Sequence, residues 1–312
     1  MRIPTITQKQ VAAFLKPRPR DSHKGMFGTV AVIGGASGMV GAPLLAARAA
    51  LKLGAGCVHV GLLAENAPLV DMVQPELMLH SAQDALQLAI DSTRNIKISV
   101  MPAQADIQSN KSTGFPHSRE RQNMVLAVGC GMGASVAAQK ILHQVLKTDT
   151  ALVLDADALN LLARHSDLQD DLRARNAAAV ITPHPGEAAQ LLGTSTKQVQ
   201  AARTEAAQQL AQKLHCAVVL KGADSVCVTR DGKTHLNKTG NPGMSGPGMG
   251  DVLTGMIAAL IAQGLDADHA LLLAVHLHGA AGDALKEQGI AVGMTASEVI
   301  EWARWLLNQW VK

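Results

Sequence analysis

Residues 241–251 read Asn-Pro-Gly-Met-Ser-Gly-Pro-Gly-Met-Gly-Asp, and a long apolar segment, residues 251–263, follows immediately. Glycines let backbone N–H groups approach an anion closely, and the N-terminal end of the helix predicted after them adds a positive dipole. A carboxylate at this place, Asp251, would repel a bound phosphate. It can instead take a proton from a hydroxyl that attacks a phosphoryl group, or it can cap the helix. Local physics leaves both roles open.

On the N-terminal side of this loop, short apolar runs alternate with helical patterns. One predicted helix is apolar nearly all round (residues 41–53), and another places Ala137, Ile141 and Val145 at helical spacing. The predicted strands are residues 29–33, 57–61, 124–128, 151–155 and 179–182. Continuous apolar strands separated by helices predict an α/β fold whose mostly parallel sheet is covered on both faces.

The alternation of strands and helices changes towards the C-terminus. Three predicted strands, residues 217–221, 225–229 and 234–238, lie close together, and Asp231-Gly232 suits a tight turn between the last two. They predict an antiparallel edge to the sheet. Helices follow at about residues 266–287 and 295–309, and Thr295 with Glu298 predicts a capping box for the last helix. The polar residues 103–123 predict a surface insertion, and residues 1–312 are expected to form a single domain.

Composition excludes several classes of protein. Of the 312 residues, 47% are hydrophobic and only 2% aromatic, so a large core must be built from aliphatic side chains. The net charge of +3 and the scarcity of stacking aromatics argue against nucleic-acid binding. No apolar run is long enough for a membrane span. The four cysteines show no C-x-x-C spacing, which favours reduced thiols and a cytoplasmic location.

The first 24 residues carry six Lys or Arg against one acid, as a targeting presequence would. They lack an apolar signal core, and Pro17 and Pro19 would interrupt an amphipathic helix. This segment is therefore expected to belong to the folded enzyme.

Other loops share the position of the first one, directly after a strand. Residues 181–187, Ile-Thr-Pro-His-Pro-Gly-Glu, follow a strand end, where open α/β sheets place their ligands, although a proline-flanked His184 also suits a rigid exposed loop. Lys221-Gly-Ala-Asp-Ser225 can contact a nucleotide or form an ordinary polar turn. Gly34-Gly-Ala-Ser-Gly38 and Gly129-Cys-Gly-Met-Gly133 are glycine turns that can hold a ligand against the backbone. Most of these loops should share one rim of the sheet.

Seven motifs occur in order along residues 16–287: Lys24-Gly-Met-Phe-Gly28, Gly34-Gly-Ala-Ser-Gly38 to Ala42, Gly129-Cys-Gly-Met-Gly133, Leu154-Asp-Ala-Asp-Ala-Leu-Asn160, Thr182-Pro-His-Pro-Gly-Glu187, Lys221-Gly-Ala-Asp-Ser225 and residues 241–255. In this order they resemble the ADP/ATP-dependent NAD(P)H-hydrate dehydratase family. The resemblance implies a ribokinase-like three-layer sandwich and a nucleotide-dependent lyase that repairs hydrated NADH and NADPH. At this length, the epimerase domain fused to some members is expected to be absent.

The resemblance also implies residue roles. Asp251 would be the catalytic base, ADP or ATP with Mg²⁺ would be the phosphoryl donor, and the ligands of the metal stay unassigned. The hydrated cofactor would contact Ala42, Gly131, His184 and Asp251. The nucleotide would contact Lys221, Gly222, Ala223, Asp224, Ser225 and Gly250, and the anion hole would be Gly248, Met249 and Gly250. Two features depart from the family pattern: Pro247, which removes one N–H donor, and the insertion at residues 103–123.

Three alternatives remain open from the residues alone. The first is a ribokinase-like kinase whose phosphorylated product is stable. The second is an NAD-linked oxidoreductase using Gly129, Gly131, Gly133 and Asp155, whose G-x-G-x-G spacing lacks the third glycine of the dinucleotide fingerprint. The third is a nucleotide sensor without catalysis. A homo-oligomer is expected, and a separate epimerase is a candidate partner.

Overall fold

The structure, a computed structural model, describes residues 3–94 and 123–311. The insertion predicted at residues 103–123 lies, except for Asn123, outside the described residues. Within them, no helix is long and apolar enough to cross a membrane.

Nine strands form one continuous sheet within the described ranges. Their order across the sheet is β3-β2-β1-β4-β5-β6-β7-β8-β9, and neighbours from β3 to β7 are parallel, whereas β8 is antiparallel to both β7 and β9. The mostly parallel sheet with an antiparallel edge is therefore confirmed. The strands are β1 Thr29–Gly34, β2 Cys57–Leu62, β3 Met78–Ser81, β4 Met124–Val128, β5 Ala151–Leu154, β6 Ala179–Ile181, β7 Ala217–Leu220, β8 Ser225–Val228 and β9 Thr234–Asn237.

Helices cover both faces of the sheet, as predicted. In β1, Val30 and Val32 belong to one hydrophobic core and Ala31 and Ile33 to the other, and all four are fully buried. Burial on both faces explains why this strand is apolar throughout its length. The helices are α1 Gln8–Ala12, α2 Gly41–Lys52, α3 Ala82–Arg94, α4 Val136–Leu146, α5 Asp157–Arg164, α6 Ser166–Arg173, α7 Pro185–Leu192, α8 Thr196–Ala201, α9 Arg203–Leu214, α10 Met249–Ala262, α11 Ala267–Glu287 and α12 Ala296–Trp310.

On the face of the sheet to which Val30 and Val32 belong, the helical layer is built around close contact between α2 and α10. It also contains α11 and α12, whereas α3 to α7 and α9 cover the opposite face. A Cβ atom added to Gly255 of α10 would lie 2.0 Å from the carbonyl oxygen of Ala46 in α2. Only glycine at this position lets the two helix backbones approach so closely. The glycine loop before α10 is thereby fixed against the centre of the sheet.

The N-terminal segment packs onto this fold. Thr5 forms a bridge with Leu236 of β9, and the Arg18 guanidinium lies 3.6 Å from the centre of the Phe27 ring. Arg18 also donates a hydrogen bond to the Gly54 carbonyl oxygen, at 2.7 Å. This arrangement agrees with the prediction that the basic segment is part of the folded enzyme.

The chain reverses direction across the sheet between β1 and β4. From β1 it builds outwards to β2 and β3, then returns to place β4 on the other side of β1 and continues towards β9. Loops at the carboxyl ends of β1 and β4 therefore diverge and leave a crevice, which is where α/β sheets bind ligands. The glycine turns after these two strands border this crevice.

Candidate functional site

Asp251 lies in the first turn of α10, at its third residue and not at its first as the sequence suggested. The N-cap is Gly248, whose φ of 85° is left-handed and which makes no side-chain capping bond. The interpretation of Asp251 as a simple helix cap is therefore wrong. The N–H groups of this first turn have no acceptor within the helix, so Met249 and Gly250 can present theirs to an anion.

A buried ion pair lies beside Gly250. Lys221, at the carboxyl end of β7, places its Nζ 2.6 Å from Oδ1 of Asp155, which follows β5 directly. Thr254 of α10 donates from Oγ1 to the other carboxylate oxygen of Asp155, at 3.0 Å. A Cβ on Gly250 would lie 3.1 Å from the Lys221 Nζ and 3.3 Å from Asp155 Oδ2. Because Gly250 has no side chain, the Lys221–Asp155 ion pair can pack directly against the start of α10.

The sequence analysis named Asp155 only for the alternative of an NAD-linked oxidoreductase, and it did not name Thr254. Asp155 follows the carboxyl end of a buried strand, the same signal that pointed to Lys221, and could have been found by it. Thr254 is one polar residue within an apolar helix, and only the three-dimensional packing reveals its partner.

Asp155, Asp251 and Cys130 form a tight cluster. The thiol sulfur of Cys130 and one oxygen from each carboxylate all lie within 4.8 Å of one another. Burial raises the pKa of Asp251 to about 6; a hydrogen bond from Cys130 lowers it, Asp155 raises it and Lys221 lowers it. A carboxylate with this pKa is mostly ionised at neutral pH and is a stronger base than an exposed aspartate, which suits general-base catalysis.

This cluster does not fit magnesium. Mg²⁺ prefers six oxygen ligands in octahedral geometry, whereas one of the three groups is a thiol, and burial followed by the two neighbouring carboxylates raises the pKa of Cys130. Both oxygens of Asp155 are already engaged by Lys221 and Thr254. We therefore do not assign a magnesium site to Cys130, Asp155 and Asp251.

A cavity of about 460 Å³ opens beside the cluster. Its lining includes every residue predicted to contact the nucleotide: Lys221, Gly222, Ala223, Asp224, Ser225 and Gly250. Met249 also lines the cavity, but Gly248 is absent from the lining. Burial lowers the pKa of Lys221, but Asp155 and Glu187 outweigh this effect and the net pKa is raised. Lys221 therefore keeps its positive charge at the cavity wall.

His278, on α11, also lines this cavity and was not predicted. Burial, followed by the charge of Lys221, lowers the pKa of His278 to about 4, although the ring forms a hydrogen bond with the backbone of Met249. A neutral imidazole thus packs against Met249, in the first turn of α10. The apolar pattern of α11 gave no sign of this contact.

Gly131 and Ala42 lie together in the crevice between β1 and β4, as predicted for one ligand. The Gly131 carbonyl accepts a hydrogen bond from the Ala36 N–H at 2.7 Å. A Cβ on Gly131 would lie 3.2 Å from the Cβ of Ala42. Nearby, the Gly133 N–H donates to Asp157 at 2.8 Å. The two glycine loops are therefore joined through their backbones.

His184 has a structural role that the sequence analysis did not include. It is the N-cap of α7: its Nδ1 accepts from the N–H groups of Gly186, at 2.9 Å, and Glu187, at 3.3 Å. In the neutral ring Nε2 then carries the hydrogen and acts as a donor. The side chain is 56% exposed, and its Nε2 lies 3.4 Å from Oε1 of Glu187. The loop lies beside Lys221, whose N–H donates to the Pro183 carbonyl at 2.9 Å.

Comparison with known proteins identifies similar chains. A family model described as NAD(P)H-hydrate dehydratase matches residues 30–304. The ADP-dependent (S)-NAD(P)H-hydrate dehydratase of Neisseria meningitidis is 39% identical over 301 residues, which cover 95% of this chain and 90% of that protein. A bifunctional NAD(P)H-hydrate repair enzyme of Coxiella burnetii is 37% identical, and the match covers 96% of this chain and 54% of that enzyme.

Among solved structures, the ADP/ATP-dependent NAD(P)H-hydrate dehydratase of Bacillus subtilis, co-crystallised with ATP and Mg²⁺, is similar to this fold. Its TM-score is 0.79, with 30% sequence identity and 99% of each chain covered. A ribokinase-like protein from Enterococcus faecalis gives a TM-score of 0.78 at 25% identity. These similarities agree with the order of the sheet and its antiparallel edge.

Proposed function

The chain belongs to the NAD(P)H-hydrate dehydratase family, and from this membership we propose that it dehydrates the S epimer of hydrated NADH and NADPH. The reaction consumes an adenine nucleotide and restores the reduced cofactor. With ADP it releases phosphate and AMP, and with ATP it releases phosphate and ADP. The observation that carries the proposal is Asp251, a half-buried base with a pKa of about 6 at the N-terminal end of a helix beside the cavity.

Asp251 begins the reaction by accepting a proton from the hydroxyl on the hydrated nicotinamide ring. The hydroxyl oxygen attacks the terminal phosphorus of the nucleotide, and the bond from that phosphorus to the bridging oxygen breaks. Negative charge grows on the transferring group, and the N–H groups of Met249 and Gly250 with the helix dipole stabilise it. The ring nitrogen then expels phosphate with its lone pair, and loss of a ring proton completes NADH or NADPH.

The nucleotide is proposed to occupy the 460 Å³ cavity. The turn from Lys221 to Ser225 forms one wall, and the start of α10 brings Gly250 to the same space. Lys221 supplies positive charge there, and its side chain is fixed by Asp155, which in turn accepts a hydrogen bond from Thr254. Magnesium is proposed to enter with the nucleotide, where it would supply positive charge to the phosphates.

The hydrated cofactor is proposed to bind at the crevice bordered by Ala42 and Gly131. Gly131 has a positive φ of 57°, and a Cβ there would lie 2.7 Å from the Met39 carbonyl oxygen, so glycine lets this turn pack directly against the Ala42 loop. The Nε2–H of His184 would donate to an acceptor of the nicotinamide end. Because Nδ1 already accepts two backbone N–H groups, His184 orients the ligand and does not serve as a base.

Further features belong to the same proposal. The enzyme acts in the cytoplasm as a single-domain homo-oligomer, and an epimerase that converts the R epimer would supply additional substrate.

The test combines two measurements on purified protein. With the S hydrate and either nucleotide, the absorbance of regenerated NADH should rise together with free phosphate. Asp251→Asn should lower turnover at least about a hundredfold if the carboxylate is a general base, while nucleotide affinity stays near that of the parent protein. Phosphate retained on the product would identify a kinase instead, and near-normal turnover of the variant would remove Asp251 from the mechanism.

A further inference from the structure

The turn that carries Cys130 is fixed by its backbone. Cys130 lies between Gly129 and Gly131, whose φ angles are 122° and 57°. Its carbonyl accepts a hydrogen bond from the Gly35 N–H at 3.0 Å, and the Gly129 N–H donates to Ile33 at 3.1 Å. Two glycines with positive φ, one hydrogen bond to strand β1 and one to the loop after it therefore fix where the thiol lies.

The thiol of Cys130 lies close to the carboxylates of Asp155 and Asp251. Cys130 is fully buried, and its sulfur is within 4.8 Å of one oxygen each of Asp155 and Asp251. A buried carboxylate without a hydrogen-bond donor is costly. Asp155 receives its donors from Lys221 and Thr254, whereas the donor close to Asp251 is the Cys130 thiol, whose hydrogen-bonding effect lowers the pKa of that carboxyl.

Protonation of the thiol is secured by its surroundings. Burial, followed by the negative charges of Asp251 and Asp155, raises the pKa of Cys130, and Lys221 opposes them only in part. The thiol thus keeps its hydrogen at neutral pH and donates it, since an ionised carboxylate can only accept. The other charges that bear on Asp251 are Asp155 and Asp157, which disfavour its ionisation, and Lys221, which favours it.

We propose that Cys130 is a positioning residue for the reaction, whose S–H donates to the Asp251 carboxylate and holds it in its ionised, proton-accepting form. This inference rests on the proposed function, because it assigns Asp251 as the base. Cys130 itself forms no bond with either substrate. A thiol that only filled space would fix neither the orientation nor the charge of the carboxylate.

The test compares the parent protein with Cys130→Ala, which removes the donor, and Cys130→Ser, which replaces it with a hydroxyl. Cys216→Ala is the matched control, since Cys216 is equally buried but lies before β7, at the opposite end of the strands from the cluster. The titration of Asp251 is followed by carbon NMR of carboxylate-labelled protein without ligands, with Asp251→Asn to assign the signal. The pH dependence of kcat is measured in parallel, and thermal melting checks that each variant is folded.

In Cys130→Ala the pKa of Asp251 should rise by about half to one unit above that of the parent protein, because a weak donor is lost. In acid solution its kcat should then fall about three- to tenfold below that of the parent protein, with little difference above about pH 8, because one pKa unit is a tenfold change in ionisation. Cys130→Ser and Cys216→Ala should titrate like the parent protein.

The same titration in Cys130→Ala as in the parent protein, in a folded protein, would overturn the inference. So would a rise of equal size in Cys216→Ala. The NMR titration needs no turnover, so it tests the inference separately from the proposed function. If only the proposed function failed, the protein would be inactive on the hydrate, but the pKa of Asp251 would still rise in Cys130→Ala.

Discussion

Among single residues, Asp251 shows that the arrangement suited to catalysis lowers stability. Burial raises its pKa in the folded protein from 3.8 to about 6. Between these values the folded protein binds a proton more tightly than the unfolded chain, so the free energy of unfolding falls as the pH rises through this window. An ionised Asp251 at neutral pH therefore destabilises the fold.

This argument predicts the effect of Asp251→Asn on stability. The variant cannot ionise, and it should exceed the parent protein by about 1–3 kcal/mol in free energy of unfolding near pH 7.5, a shift of two pKa units being the upper bound. The difference should shrink towards zero near pH 4. Urea unfolding of both proteins across this range measures it. A difference that does not change with pH would show that the raised pKa has no part in it.

A second residue combines two roles that can be separated. His184 caps α7 through Nδ1, and its side chain is 56% exposed. His184→Ala should lose about 1 kcal/mol of stability with the cap, and its apparent KM for the hydrate should rise or its kcat fall, with nucleotide affinity nearly unchanged. His184→Asn keeps a capping acceptor and is the matched control. It should recover the melting temperature but not the kinetics.

Steady-state kinetics with each substrate varied in turn, together with thermal melting, decide between the roles. If His184→Asn has the kinetics of the parent protein, His184 is a helix cap alone. If either variant loses nucleotide affinity but keeps its response to the hydrate, the assignment of the two sites is reversed.

Among helices and strands, the sequence was most informative where burial was complete. The prediction for β4 has the observed bounds, and that for β1 ends one residue early, because a strand buried on both faces is a continuous apolar run. β3 was missed because it is short, partly exposed and ends with the polar residues His80 and Ser81. The helix α5, which follows Asp155, was missed for a similar reason, since eight residues give too little periodicity.

The close contact of α2 with α10 supports a prediction for an element pair. Gly255→Ala gains about 1 kcal/mol of helix propensity, but its Cβ would lie 2.0 Å from the backbone oxygen of Ala46. A backbone atom cannot rotate away as a side chain can, so overpacking should dominate. We expect a net loss of about 1–3 kcal/mol in the free energy of unfolding.

Gly41→Ala is the matched control for this substitution. Gly41 is also helical, at the start of α2, and a Cβ there would meet no atom within 4 Å. Chemical denaturation of both variants should show destabilisation only for Gly255→Ala. Equal stability of the two would mean that α10 can move away from α2 without cost.

For the molecule as a whole, one edge of the sheet collects residues that are far apart in sequence. The carboxyl ends of β4, β5 and β7 bring Cys130, Asp155 and Lys221 to the start of α10. The sequence predicted this shared rim from its glycine loops and located Asp251, Lys221 and Gly131 there. It could not predict which polar side chains pair within the rim, since the ion pair joins positions 66 residues apart.

Because we propose different residues at this rim for the two ligands, their stabilising effects should be separable. Lys221→Ala alone would leave Asp155 buried without its cation, which is strongly destabilising. The double variant Asp155→Asn, Lys221→Met removes both charges together and keeps an acceptor for Thr254, so its melting temperature without ligand should stay near that of the parent protein.

In the parent protein, ADP at a hundredfold excess over its Kd should add about 2.7 kcal/mol of stability, which raises the melting temperature by about 5 °C. The double variant should lose most of this rise but keep the rise that the hydrated cofactor produces, because Ala42, Gly131 and His184 are unchanged. Thermal melting with each ligand alone measures both effects. Equal loss of the two responses would show that the ion pair supports the rim as one unit, and a retained response to ADP would remove Lys221 from the nucleotide site.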